Sequence, residues 1–149
     1  MASPLFPRQL QDGELTFRRL WSNPEILFND CGLRVEFLDG PKIDLILKLI
    51  QASLSPVGYE KVRDAMKTNH FLGELLNSRP ILNQFSYKYR SFNYVSNYSF
   101  CLFGKPSTSD PWGWSYYGHH LCVNVFVWGG QMVISPVFIG AEPNVSSTK

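Results

Sequence analysis

Leu121-Cys122-Val123-Asn124-Val125-Phe126-Val127-Trp128-Gly129-Gly130-Gln131-Met132-Val133-Ile134-Ser135-Pro136-Val137-Phe138 reads as two strand-like runs joined by a glycine pair. β-Branched and aromatic residues fill both runs, and Gly129-Gly130 supplies the positive-φ positions that a two-residue hairpin turn requires. With the turn there, counting gives the register: Trp128 opposite Gln131, Val127 opposite Met132, Asn124 opposite Ser135 and Val123 opposite Pro136. One face then carries Val123, Val125, Val127, Met132 and Ile134; the other carries His120, Cys122, Asn124, Gln131 and Ser135. Pro136 falls in a non-hydrogen-bonded pair, with its nitrogen directed away from the partner strand, so the second strand is expected to be an edge there.

Extending the same ladder brings His119 opposite Gly140 and Tyr117 opposite Glu142, which sets His119 diagonal to Glu142 at the rim of the oily face. Gly118, Gly140 and Pro143 are each able to end or bulge that extension. Upstream, Tyr98, Phe100 and Leu102 alternate with period two, as do Phe85, Tyr87 and Tyr89 with Phe92 and Tyr94 beyond them. The C-terminal half therefore reads as strand-rich and antiparallel.

The N-terminal half reads differently. Residues 1–13 form a loose arm, and a short helix is expected around Phe17 to Trp21, stopped by Asn23-Pro24. Leu33, Val35 and Phe37 alternate as a short strand. Asp39-Gly40-Pro41 then opens a helix in which Ile43, Ile46, Leu47 and Ile50 form an apolar stripe widened by Leu45 and Leu49. Ser55-Pro56 opens an amphipathic helix through Tyr59, Val62 and Met66, and Asn69 is placed to cap a further short helix with Phe71, Leu72, Leu75 and Leu76 facing inward. Helices followed by strands give an α+β fold, with about three helices in the first half.

With 149 residues, 44% of them hydrophobic, the chain fits one domain over 1–149, ending in a polar tail at 144–149. Cys31, Cys101 and Cys122 are an odd number with no paired spacing, which suits reduced core thiols. The first ten residues lack the apolar run of a signal peptide, and no stretch is long enough to span a bilayer. An intracellular soluble protein with no membrane partner is expected. A net charge of +2 is too small to indicate nucleic acid. Single-strand binding through Lys88 and Arg90 and their aromatic neighbours is the weakest reading.

The candidate site lies just before the hairpin. Pro111-Trp112-Gly113-Trp114-Ser115-Tyr116-Tyr117-Gly118-His119-His120 holds two of the three histidines and two of the four tryptophans. Adjacent residues in a strand point to opposite faces, so His119 and His120 do not share one metal easily. His120 and Cys122 share a face by alternation and form the alternative metal pair, although a divalent metal is not indicated by ligand spacing. Against this stands a reading in which one histidine donates to the backbone and the other is simply exposed. Trp112, Trp114 and Tyr116 share a face and form either an aromatic wall for a ligand or a packed cluster. Cys122 is better read as a buried, inert thiol than as a nucleophile. No phosphate loop, dinucleotide fingerprint or nucleophile elbow is present.

Tyr98-Ser99-Phe100-Cys101-Leu102-Phe103-Gly104-Lys105-Pro106-Ser107, Pro111-Trp112-Gly113-Trp114, Gly118-His119-His120-Leu121 with Asn124, Ser135-Pro136-Val137-Phe138 and Gly140-Ala141-Glu142-Pro143 together resemble the signature of domain of unknown function 3500. Trp21-Ser22-Asn23-Pro24, Cys31-Gly32-Leu33 and Leu54-Ser55-Pro56-Val57-Gly58-Tyr59 are similar to its upstream landmarks, in order. The resemblance implies a short form lacking the family's C-terminal part. It supplies no activity. Two functions follow from the residues. One is a small-molecule enzyme with His119, His120 and Glu142 as acid/base or metal-binding groups and Trp112, Trp114 and Asn124 shaping the pocket. The other is a non-catalytic binding or assembly module, joining a protein partner or a second copy through the surface left by the absent C-terminal part.

Overall fold

The computed structural model describes residues 32–77 and 98–141. The expected arm, the helix at Phe17 to Trp21, the aromatic run from Phe85 to Tyr94 and the polar tail lie outside those residues. The described chain is α+β: a short strand β1 (Leu33–Arg34), a 3-10 turn (Val35–Phe37), helices α1 (Gly40–Ser53) and α2 (Pro56–Asn77), then strands β2 (Ser99–Phe103), β3 (Trp112–Tyr117), β4 (Leu121–Trp128) and β5 (Gln131–Ile139). The sheet is antiparallel throughout, with the order β1-β2-β3-β4-β5.

Both helices start as the sequence predicts. Asp39 caps α1 by accepting from the Lys42 N–H at 3.1 Å, and proline occupies the first turn, where a missing N–H costs no bond. Ser55 does the same for α2, accepting from the Gly58 N–H at 3.1 Å. Three expectations are corrected. The alternation over Leu33 to Phe37 is strand for only two residues; Val35 then plunges into the core with its N–H donating to Tyr98 O, and the chain turns so that Phe37 is 82% exposed. The wide stripe of α1 is narrower than expected, since Leu45 is 65% exposed while Ile46 and Ile50 are buried. Asn69 begins no third helix, because α2 runs unbroken for 22 residues and the Asn69 amide is engaged across the fold.

The main core lies between the helices and one face of the sheet. Ile46, Ile50, Val62, Ala65 and Met66 meet Tyr98, Phe100, Trp114, Tyr116, Leu121, Val123 and Val125. Each valine, leucine, isoleucine, phenylalanine or methionine among them contributes about 1.5–3 kcal/mol on burial. The other face is not the polar surface that alternation suggests. Cys101, Phe103, Tyr117 and Cys122 form a second buried cluster there, with Phe138 packed against it.

The hairpin turns at Gly129-Gly130 with φ of 56° and 76°, which glycine adopts without strain. From there the expected register holds through Val127↔Met132 and Val125↔Ile134, and then slips to Val123↔Val137, Cys122↔Phe138 and Leu121↔Ile139. The pairings of Asn124 with Ser135 and Val123 with Pro136 are thus overturned. Ser135 and Pro136 together oppose Asn124 as a bulge. The slip moves Phe138 onto the second cluster and returns Val137 and Ile139 to the helix side. An unbroken ladder would have turned all three the other way.

Candidate functional site

The β3–β4 connection is tight, with the Gly118 N–H donating to Leu121 O at 2.7 Å, and it presents the histidine pair at one end of the sheet. His120 is 2% exposed, and its Nδ1–H donates to Asn69 Oδ1 of α2 at 3.0 Å. Each buried group satisfies the other, which avoids the penalty of an orphaned donor or acceptor of about 1–3 kcal/mol. With the Asn69 carbonyl oxygen as acceptor, the bond requires a proton on Nδ1. His119 is half-buried, its ring edge-on to that of His120 with centroids 4.4 Å apart.

His120 was expected to share a face with Cys122 and Asn124. Strand β4 begins only at Leu121, so its alternation does not reach back to the bend that holds His120. The imidazole turns to α2, whereas the Cys122 thiol packs with Cys101, Phe103 and Tyr117 on the far side of the sheet. Among the described residues no three His, Cys, Asp or Glu side chains are grouped to hold a metal ion. The slipped register also sets Gly140 against His120, with the Gly140 N–H donating to His120 O at 2.9 Å, where the sequence placed Gly140 against His119. Glu142 lies outside the described residues.

Cys122 and Asn124 belong to a small polar chain. Ser115 Oγ donates to Asn124 Oδ1 at 2.5 Å, and Asn124 Nδ2 donates to Cys122 Sγ at 3.3 Å. Burial pushes the Cys122 thiol pKa up, against a smaller opposing effect of the Asn124 amide. A thiol held protonated is a poor nucleophile and a poor metal ligand.

Trp112, Trp114 and Tyr116 share the helix side, as their spacing implied, and there they pack. Trp114 is wholly buried, its Nε1–H donating to Ser53 Oγ at 3.2 Å while Ser53 in turn donates to Leu49 O at 2.8 Å. Trp112 is half-buried and ties down the preceding loop by donating to Ser107 O at 2.9 Å. Asn124 is on the opposite face, so these tryptophans and that amide do not converge. Tyr98 stacks on Tyr116 at 4.8 Å with 10° between planes, and burial raises its phenol pKa well above the usual range. The Tyr98 hydroxyl and Ser99 Oγ are buried with no hydrogen-bond partner among the described residues.

The opposite character appears on β5. Met132, Ile134, Val137 and Ile139 lie 47%, 38%, 48% and 45% exposed, on the helix side of the last strand of the described sheet. None of the nine residues of β5 is charged. Sequence reasoning missed this row and it missed Asn69. Signals for both were present: an uncharged run in an expected edge strand, and an asparagine at i+7 on the stripe Val62, Ala65, Met66.

Among the described residues, two helices laid on one face of a five-stranded antiparallel sheet define an α+β arrangement. The chain belongs to the family described as Protein of unknown function (DUF3500), whose pattern matches residues 8–149. No match was found among curated proteins or among solved structures. No described helix is long and apolar enough to cross a membrane.

Proposed function

We propose that this protein is a non-catalytic binding or assembly module, with the helix-side row of β5 and its outer edge, which no other described strand covers, as its contact surface. The observation that carries the reading is the run of half-exposed Met132, Ile134, Val137 and Ile139 on an edge strand without a single charge. Unpaired backbone beside apolar side chains is a template for another chain, and proteins that avoid such pairing place lysine or glutamate on the edge. Trp112, Trp114 and His120 fit the same reading, since Nε1 of each tryptophan and Nδ1 of His120 are engaged in holding loop, sheet and helices together. Hydrogen exchange across residues 131–139 tests it. The outward amides should exchange fast in dilute protein and slow down on association; slow exchange in an isolated monomer would end the reading.

A second reading, a small-molecule enzyme centred on the histidines, is favoured by one observation: His119 is half-buried against an imidazole held in place by the Asn69 amide. His119 would then be the acid/base group, with His120 orienting it and Glu142 the carboxylate. Metal analysis of the purified protein beside His119→Ala and His120→Ala tests the metal-binding form of that reading. Loss of a bound metal in one variant would support it.

A further inference from the structure

We propose that β5 pairs with β5 of a second copy of this chain, antiparallel about a two-fold axis at the Ser135-Pro136 bulge, making one continuous sheet. The proposal rests on the assembly reading and names its partner.

The argument starts from which backbone groups of β5 point outward. In a two-residue hairpin the flanking pair Trp128↔Gln131 exchanges hydrogen bonds, and bonded and non-bonded pairs then alternate. Met132 and Ile134 sit in non-bonded pairs, so their N–H and C=O groups face away from β4. Beyond the bulge the bond from Gly140 N–H to His120 O fixes the phase again. Leu121↔Ile139 and Val123↔Val137 are then non-bonded, and Val137 and Ile139 also face outward.

The four outward residues are symmetric about the bulge. An axis between Ser135 and Pro136 sets Met132 against Ile139 of the second copy and Ile134 against Val137, so that every outward group meets one of its own set. Val133 then faces Phe138 across the axis. Each pairing is apolar with apolar, and no like charges approach because β5 carries none. The two bulges coincide, and the N–H that Pro136 lacks belongs to none of the four pairs. Registers that centre on one half of the strand engage only that half, since the bulge reverses the outward phase beyond it. The bulge that would spoil other pairings therefore selects this one, and the two-fold makes the interface self-complementary.

Sedimentation velocity over a wide range of protein concentration tests the proposal, with two variants that address the outward groups. Ile134→Pro removes an N–H that the β4 ladder does not use, and Val137→Lys places a charge beside the axis. Each is expected to weaken the dimer by about tenfold or more while the monomer keeps its melting temperature. Val133→Pro, which removes an inward N–H, should instead lower the melting temperature. A wild type that stays monomeric throughout, or a dimer that survives both Ile134→Pro and Val137→Lys, overturns the pairing. Amide exchange in the monomeric wild type separates the two failures. Fast exchange at Met132, Ile134, Val137 and Ile139 leaves an open edge for a different partner, whereas slow exchange removes the assembly reading itself.

Discussion

Strands β4 and β5 are arms of one hairpin and both mainly hydrophobic, in seven residues of eight and six of nine, yet Leu121 to Val125 are buried while most of β5 is open. Composition does not separate them; position does. β4 has β3 on one side and β5 on the other, and its helix-side residues meet Trp114, Tyr116 and α2. β5 has one described neighbour, and its helix-side residues Met132, Ile134, Val137 and Ile139 stay partly open even though α2 reaches the strand. The same valine is thus a core residue at 123 and a surface residue at 137, which strand-level hydrophobicity cannot distinguish.

The sharpest way to break this contrast is to place the same charge on both arms. Val123→Asp buries an unpaired carboxylate and is expected to cost several kcal/mol, enough to unfold a marginal domain. Val137→Asp should change the monomer by no more than about 0.5 kcal/mol, as surface substitutions do. Urea unfolding of both variants at low protein concentration compares them directly, and equal losses would contradict the burial pattern.

A second test concerns how β4 is held. Gly113 of β3 lies so close to Val125 O that an added Cβ collides with it, so Gly113→Ala should cost about 1–3 kcal/mol by pushing β3 from β4. Asn69→Ala orphans the buried His120 donor and should cost a similar amount, about 1–3 kcal/mol. Combined with His120→Ala in a double-mutant cycle, a coupling near zero would show that the bond contributes nothing to stability.

Smaller effects come from the buried hydroxyl and thiol. Burial raises the pKa of Tyr98 and of Cys122, so in the fold both stay protonated after the unfolded chain has ionised. Their contribution is complete below the ordinary values of 9.0 for the thiol and 10.0 for the phenol, and falls away as pH rises above them. Tyr98→Phe should lessen that alkaline loss and, because the hydroxyl has no partner among the described residues, leave stability at neutral pH unchanged or slightly higher. Melting temperatures followed from neutral to strongly alkaline pH would check both parts. Gly129→Asn, a residue suited to the first turn position at a φ of 56°, should raise stability by only a few tenths of a kcal/mol.

Local chemistry was legible in the sequence. Asp39 and Ser55 cap helices, Gly129-Gly130 turns the hairpin, and its first four pairs fall where counting puts them. These features depend on residues within a few positions of one another. What depended on distant partners was not legible. Ser135-Pro136 permits either a regular ladder or a bulge, and only the cluster that receives Phe138 distinguishes them. Asn69 is an acceptable helix cap by type, but His120, 51 residues away in sequence, claims its amide oxygen. For the candidate site, Trp112 and Trp114 were rightly placed on one face, while His120 was assigned to the wrong one because the alternation was carried past the start of β4.

The order of the sheet has a consequence for the chain during its synthesis. Strands β2, β3 and β4 each pair with the next strand in sequence, so their closure is inexpensive once residues 98–141 are available. The helices come first, however, and the surfaces that cover Ile50, Val62 and Met66 are made last. At about 5–20 residues per second, roughly 50 further residues follow α2 before β4 is complete, an interval of about 3–10 s. During that time the nascent chain displays two apolar helix faces with no sheet to receive them, and it is then, rather than after folding, that chaperone capture has most to protect.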